Sequence, residues 1–214
     1  METATYDPNG LLAGDIKPLG RKITLLSGQN LTRGAVLGRA VTGTATAAAK
    51  SGGNTGGGTI TMDATTPVQA GAKPGVYTAR CILAPGSNGG TFAVEDPDGT
   101  VIGQVLVGAT FDDDIKFVIA DVGTDFALGD GFDITVAAVD KYVLSLAAAL
   151  NGSQVPAAIL AIDCDASLGD KSTTAYFSGE FNTAKMTYGS GHTAATVEAA
   201  FRTGNVPIAI RTLP

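Results

Sequence analysis

The sequence predicts a mainly β fold with short helices, in which a β-rich base carries a second, small antiparallel β-domain. Hydrophobic residues make up 44% of the 214 residues and charged residues only 16%, which is enough apolar material for a buried core. The 29 glycines accompany abundant Thr and Val, a composition typical of short strands joined by tight turns. The length suits one large domain or two small ones.

Composition and charge exclude several classes of protein. The net charge of −6 argues against a DNA-binding surface, because phosphate neutralisation needs clustered Lys and Arg. The first residues lack the basic and apolar regions of a signal peptide, and the most apolar stretch, 142–150, is too short to span a bilayer. Cys81 and Cys164 are far apart without a CxxC partner, which favours reduced thiols over a disulfide. We therefore expect a soluble protein, made in the cytoplasm, with no nucleic-acid or membrane partner.

The first part of the chain, residues 1–43, predicts an extended arm over 1–20 and then a first β-rich piece. Lys22–Leu26 is a strand candidate, and the polar residues from Ser27 to Asn30 predict a turn. Ala35–Val41 is the second predicted strand of this piece.

The middle part, 44–140, opens with the run GTATAAAKSGGNTGGGT, whose small residues predict a flexible linker. Alternating apolar residues then predict strands, and Asp96-Pro97-Asp98-Gly99 between two of them is typical of a hairpin turn. The predicted strands and apolar rows are Val76–Leu83, Phe92 with Val94, Val101–Val107, Ile115 with Phe117 and Ile119, and Phe132 with Ile134 and Val136. Five or six strands at this spacing predict a small antiparallel sandwich or barrel.

The last part, 141–214, combines strands with one helix. The apolar run Val155–Ile162 predicts a fully buried strand, and Thr173–Phe181 alternates again. Thr193 is a suitable N-cap for a short helix through Arg202, with Gly204 at its end. Val206–Arg211 is the predicted terminal strand.

Charge separates the middle part from the two ends. Residues 44–140 hold 4 basic and 12 acidic residues, a net charge of −8, whereas the ends hold 10 basic and 8 acidic residues, a net charge of +2. An acidic module between flexible joints is expected to face solvent.

No residue pattern indicates catalysis or metal binding. His192, the only histidine, precedes the predicted N-cap Thr193 in a Gly-rich turn, and no GxSxG motif accompanies it, so helix entry is favoured over a hydrolase role. Surface cation binding by acidic loops is the minority interpretation, since the EF-hand spacing is missing; the residues concerned are Asp112, Asp113, Asp114, Asp121, Asp125, Asp130 and Asp133. Asp163-Cys164-Asp165 lacks a second zinc ligand set. We expect no enzyme and no cofactor.

Two segments resemble a known family. These are GLLAGDIKPLGRKITLLSGQNLTRGAVLGRAV near the start and NGSQVPAAILAIDCDASLGDKSTTAYFSGEFNTAKM in the last third. The order of turn, buried strand, Asp-rich loop and Thr-rich strand is similar to that of the lambda-type bacteriophage head decoration proteins. The resemblance covers residues 10–43 and 141–214. The middle departs from the minimal family pattern and looks like an inserted β-domain.

The resemblance implies a capsid decoration protein. Residues 21–43 and 141–214 would form a discontinuous capsid-binding base of β-tulip or β-clip type, with 44–140 inserted. A homotrimer would sit at local three-fold sites of the major capsid protein shell, on the outer surface of the virion head, and stabilise the DNA-filled head. The arm would add to a capsid strand by edge pairing; its candidate binding residues are Tyr6, Pro8, Leu11, Leu12, Asp15 and Ile16.

One alternative function remains open at this point. It is a phage tail protein or a surface-displayed receptor-binding protein, in which the acidic β-domain recognises a host-surface ligand.

Overall fold

The computed structural model describes residues 10–84 and 89–213, and its strands confirm the mainly-β prediction. In chain order the strands are β1 (Gly20–Leu25), β2 (Gln29–Leu31), β3 (Val36–Ala49), β4 (Thr59–Met62), β5 (Gly75–Leu83), β6 (Thr91–Glu95), β7 (Val101–Leu106), β8 (Thr110–Asp112), β9 (Lys116–Ala120), β10 (Gly131–Leu144), β11 (Pro156–Leu160), β12 (Cys164–Ala166), β13 (Lys171–Tyr176), β14 (Gly179–Asn182) and β15 (Ile208–Arg211). The helices are α1 (Ala194–Thr203) and one 3-10 turn, Thr183–Lys185. No helix in the described ranges is long and apolar enough to cross a bilayer.

The chain divides into two compact units. Unit 1 comprises the described residues up to Ala40 and from Asp140 onward, and unit 2 comprises Val41–Val139. Strands β3 and β10, each 14 residues long, carry the chain from unit 1 to unit 2 and back. The expected assignment of the middle part as an insertion stays a prediction.

A small barrel forms the centre of unit 1. Its strand order is β1-β13-β11-β3-β10, and a parallel bridge between Leu25 and Tyr142 returns β10 to β1. Ala158 and Leu160 of β11 lie in one core cluster, whereas Ile159 lies in a second cluster with Phe201 of α1. Strand β11 is therefore buried on both faces, which explains its continuous apolar sequence. The buried stretch is shorter than predicted, since Val155 and Ile162 are more than half exposed.

Helix α1 begins and ends where its sequence signals indicate. The Thr193 side chain accepts a hydrogen bond from the Thr196 backbone N–H, and the Thr196 side chain accepts one from the Thr193 backbone N–H. Gly204 is the C-cap, as predicted. The buried residues Val197 and Phe201 pack the helix into the second core cluster of unit 1.

Unit 2 has two antiparallel sheets around one core, in agreement with the predicted small antiparallel fold. In the first sheet, the first part of β10 pairs with β5, β5 pairs with β6, and β6 pairs with β7. The second sheet has the order β4-β9-β8. The predicted apolar rows are buried in this core, and edge-to-face contacts join Phe126 to Phe92 and Phe132. Asp96-Pro97-Asp98-Gly99 forms the turn between β6 and β7, with Gly99 at φ 79°.

The predicted flexible linker after residue 43 is wrong over its first residues. Strand β3 continues to Ala49, and Ala45 and Ala47 pack against the unit 2 core while Thr44 and Thr46 are exposed. Pairing within the sheet therefore overrides the low intrinsic strand tendency of small residues. The two cysteines, Cys81 in unit 2 and Cys164 in unit 1, are both buried free thiols.

Candidate functional site

The N-terminal segment is held against β14 of unit 1. Leu12 forms an antiparallel bridge with Phe181, the Ala13 N–H donates to the Glu180 carbonyl at 2.8 Å, and the Asn182 N–H donates to the Leu11 carbonyl at 2.9 Å. Strand β15 pairs in parallel with the same β14. Residues 11–13 and β15 thus flank β14 in a short three-stranded arrangement.

The candidate arm residues differ in their surroundings. Tyr6 and Pro8 lie outside the described residues. Leu11 is 3% exposed in the core cluster that contains Phe181, so its side chain stabilises this chain itself. Asp15 is exposed and Ile16 is half exposed, so these two side chains are available to a partner. The role of the six residues in capsid binding stays a prediction.

A buried carboxylate lies beside the same segment. The Glu180 side chain accepts from Arg211 Nε at 2.6 Å and also from Arg211 Nη2, and these bonds hold the pKa of Glu180 below its usual range. A Cβ atom at Gly14 would lie 1.7 Å from Glu180 Oε2, so any larger residue there would displace the Glu180 carboxylate from its place beside Arg211. The polar cavity of about 540 Å³ next to the ion pair is lined by Ala13, Gly14, Asp15, Glu180, Arg211, Thr212 and Leu213.

His192 Nε2 lies 3.1 Å from the hydroxyl oxygen of Ser145. This is the pair that a hydrolase hypothesis would use as base and nucleophile. The Ser145 Oγ donates to the Ser153 carbonyl at 2.8 Å, an arrangement in which it accepts from His192 Nε2. Ser145 is also fully buried. The geometry therefore favours a structural contact over an activated nucleophile.

The acidic residues of unit 2 are largely engaged within the fold. Asp130 accepts backbone N–H groups from Thr55, Gly56 and Ala127, each at 2.9 Å. Asp112 pairs with Lys116 at 2.8 Å. Within residues 10–84 and 89–213, no three His, Cys, Asp or Glu side chains are grouped so that they could hold a metal ion.

Comparison with known proteins gives one informative match. The family model of the bacteriophage lambda head decoration protein D matches residues 18–206. This match runs through the middle part, so it does not mark 44–140 as an insertion. No curated protein sequence matches the chain.

Solved structures add little to this comparison. Two crystal forms of Xanthomonas campestris FlgL match at 20% sequence identity and a TM-score of 0.32, with 50% of this chain covered. The chain spans about a third of the length of FlgL, 34% and 33% in the two crystal forms. A likeness this weak supports no conclusion about fold or function.

The family match covers most of the chain, and the chain therefore belongs to the bacteriophage lambda head decoration protein D family.

Proposed function

We propose that this chain decorates the head of a tailed bacteriophage, binding as a homotrimer at local three-fold sites of the major capsid protein shell and stabilising the DNA-filled head. The observation that carries the proposal is the family match over residues 18–206. Membership in a head decoration family implies a capsid location and the major capsid protein as partner. The family is one of structural phage proteins and not of enzymes.

The N-terminal segment supports an arm mechanism. The chain is fixed to β14 through Leu11, Leu12 and Ala13, so any extension before residue 10 starts from a fixed point on unit 1. Three such extensions on one trimer would act together, because the first contact raises the effective concentration of the others. Weak single contacts would then give stable attachment to the shell.

Stabilisation of the head is a mechanical role in this proposal. Packaged DNA pushes outward on the shell, and a trimer that bridges neighbouring capsid subunits raises the cost of separating them. The base in unit 1 would provide these contacts. We propose that unit 2, with 4 basic and 11 acidic residues, is an insertion that is displayed on the outer surface and is open to a host-surface ligand.

The direct test mixes the purified chain with undecorated, expanded capsid shells of the parent phage and measures co-sedimentation. Saturable binding with three chains per local three-fold site is expected, together with a trimer of the 21.4 kDa chain in analytical ultracentrifugation. Heads coated with the chain should release DNA at a higher temperature than uncoated heads. Absence of binding to expanded shells would overturn the proposal, and labelling of tails instead of heads in electron micrographs would support the tail alternative.

The arm mechanism is tested by truncation, and the buried position of Leu11 determines where the truncation should end. Removal of residues 1–9 leaves Leu11 and its contacts in place, whereas removal of 1–20 would also take a core side chain away. The chain that starts at residue 10 should keep the trimer and its melting temperature but lose coating of capsids. Full coating by this shortened chain would contradict the arm mechanism.

A further inference from the structure

Strand β1 is paired along only part of one side. It runs antiparallel to β13 from Gly20 to Leu25, but its contact with β10 is a single bridge at Leu25 and Tyr142. The Leu26 N–H donates to the Tyr142 carbonyl at 2.9 Å, and no strand of the described ranges pairs with this side of β1 before Leu25.

The register identifies which backbone groups are left on that side. The Phe177 N–H donates to the Leu19 carbonyl at 2.9 Å, so Leu19, Arg21 and Ile23 direct their backbone groups toward β13. Gly20 and Lys22 alternate with these residues. The backbone N–H and C=O of each therefore point to the outer side of β1, away from β13. Such unpaired strand edges are where extended chains add to a sheet.

The side chains beside this edge are cationic and aromatic. Arg21 and Lys22 are exposed, and neither forms an ion pair with a described residue. The Arg21 guanidinium lies 5.4 Å from the centre of the Phe177 ring, which in turn meets Tyr142 edge-to-face at 6.0 Å. These residues line a shallow cavity of about 430 Å³ with Ile23, Thr24 and Asp140. Two neighbouring cations without ion pairs therefore lie beside the unpaired backbone groups of β1. This combination suits an added strand that carries a carboxylate.

We propose that the outer edge of β1 at Gly20–Lys22 accepts an extended acidic segment of the capsid shell protein as an added strand. Its backbone continues the ladder that Leu26 and Tyr142 begin, and its carboxylate pairs with Arg21 or Lys22. This inference rests on the proposed function, and it adds a second contact of defined chemistry to that of the arm. The charge of the site favours an acidic segment because the cations are not neutralised within the chain.

The electrostatic part is tested with the double variant R21E/K22E and undecorated shells. Affinity should fall at least about tenfold at low salt, and the difference from the wild type should shrink as salt rises. The matched control is R33E/K171E, which makes the same charge change at two other exposed cations of unit 1 and should bind like the wild type.

The backbone part is tested with Lys22→Pro against Lys22→Ala. Proline removes an N–H that points away from β13, so the fold and melting temperature should be kept while shell affinity falls about tenfold below that of Lys22→Ala. Failure of the wild type to bind shells would refute the proposed function itself. Wild-type binding with unchanged binding by R21E/K22E would overturn only this inference. Loss of the wild-type oligomer in R21E/K22E would also overturn it, since the edge would then receive a second copy of the chain.

Discussion

Thr173 lies in a core-facing position of β13, with 6% of its surface exposed and no hydrogen bond from its hydroxyl to any described residue. A buried hydroxyl without a partner costs free energy, so Thr173→Val should raise the free energy of unfolding by about 1 kcal/mol. Chemical denaturation measures the change. Thr174→Val, at the neighbouring and less buried position, is the control and should change stability less. A loss of stability in Thr173→Val would mean that the hydroxyl is satisfied in solution.

Asp96 contributes to unit 2 as a carboxylate. It accepts from Lys73 Nζ at 2.7 Å and from the backbone N–H groups of Asp98 and Thr100 at 2.9 Å each. The hydrogen bond from Lys73 and those from the turn backbone lower the pKa of Asp96 from its ordinary value. A carboxyl with a lowered pKa in the folded state stabilises the fold above its unfolded pKa of about 3.9, and this stabilisation is lost as the pH falls through the folded value.

Unit 2 should therefore lose stability as the pH falls below about 4. Hydrogen exchange of the β6–β7 hairpin, measured from about pH 6 to about pH 2.5, should show the loss in the wild type. Asp96→Asn should be less stable at the upper pH and show a flatter profile. Asp113→Asn changes an exposed side chain in the same unit and should leave the profile unchanged. An identical pH profile in Asp96→Asn would refute the role of Asp96.

Strand β3 depends on a close backbone approach in unit 1. A Cβ atom at Gly38 would lie 1.9 Å from the Ser153 carbonyl oxygen, which belongs to the loop before β11. Gly38→Ala should therefore cost about 2 kcal/mol or more of unfolding free energy, because backbone atoms must move. At Gly169 nothing lies within 4 Å of an added Cβ, so Gly169→Ala should be neutral or slightly stabilising. Equal stability of the two variants would contradict the packing at Gly38.

Elements with strong local signals were predictable from the sequence. Thr193 and Gly204 gave both ends of α1, and Asp96 to Gly99 gave the turn between β6 and β7, because caps and turns depend on neighbouring residues. The second half of β3 was missed, although Thr44 to Ala47 alternate, since small residues carry a weak period-two signal.

The candidate site was less predictable because its contacts are distant in sequence. Leu11 is buried only through its contact with β14, and Glu180 meets Gly14 and Arg211 from opposite ends of the chain. The open side of β1 depends on where β10 leaves it. No local pattern carries such information. The family resemblance, which uses the order of segments along the whole chain, was therefore the stronger route to function.

At the scale of the whole molecule, the two units divide the chain into parts of different charge. Unit 2 is acidic, with 4 basic and 11 acidic residues. Unit 1 contains the two segments that resemble the decoration family. Strands β3 and β10 each run across the boundary between the units, so the first residues of the predicted flexible linker, up to Ala49, are strand. In the proposed function, unit 1 binds the shell and unit 2 is free for another partner.

This division can be tested because the chain enters and leaves unit 2 at neighbouring points. Arg39 Nε lies 2.5 Å from Asp140 Oδ1, so a short Gly-Ser linker can join Ala40 to Asp140 in place of residues 41–139. The shortened chain should fold, since α1 and both core clusters of unit 1 contain no residue of the deleted part, which removes β3 only after Ala40 and β10 only before Asp140. Circular dichroism and ultracentrifugation would establish its fold and oligomeric state before binding is measured.

The decisive measurement is the affinity of this shortened chain for undecorated, expanded capsid shells, compared with that of the full chain in the same co-sedimentation assay. Saturation at the same number of copies is expected, with an affinity within about threefold, a difference in binding free energy below about 1 kcal/mol. A folded shortened chain that fails to bind shells bound by the full chain would contradict the assignment of capsid decoration to unit 1.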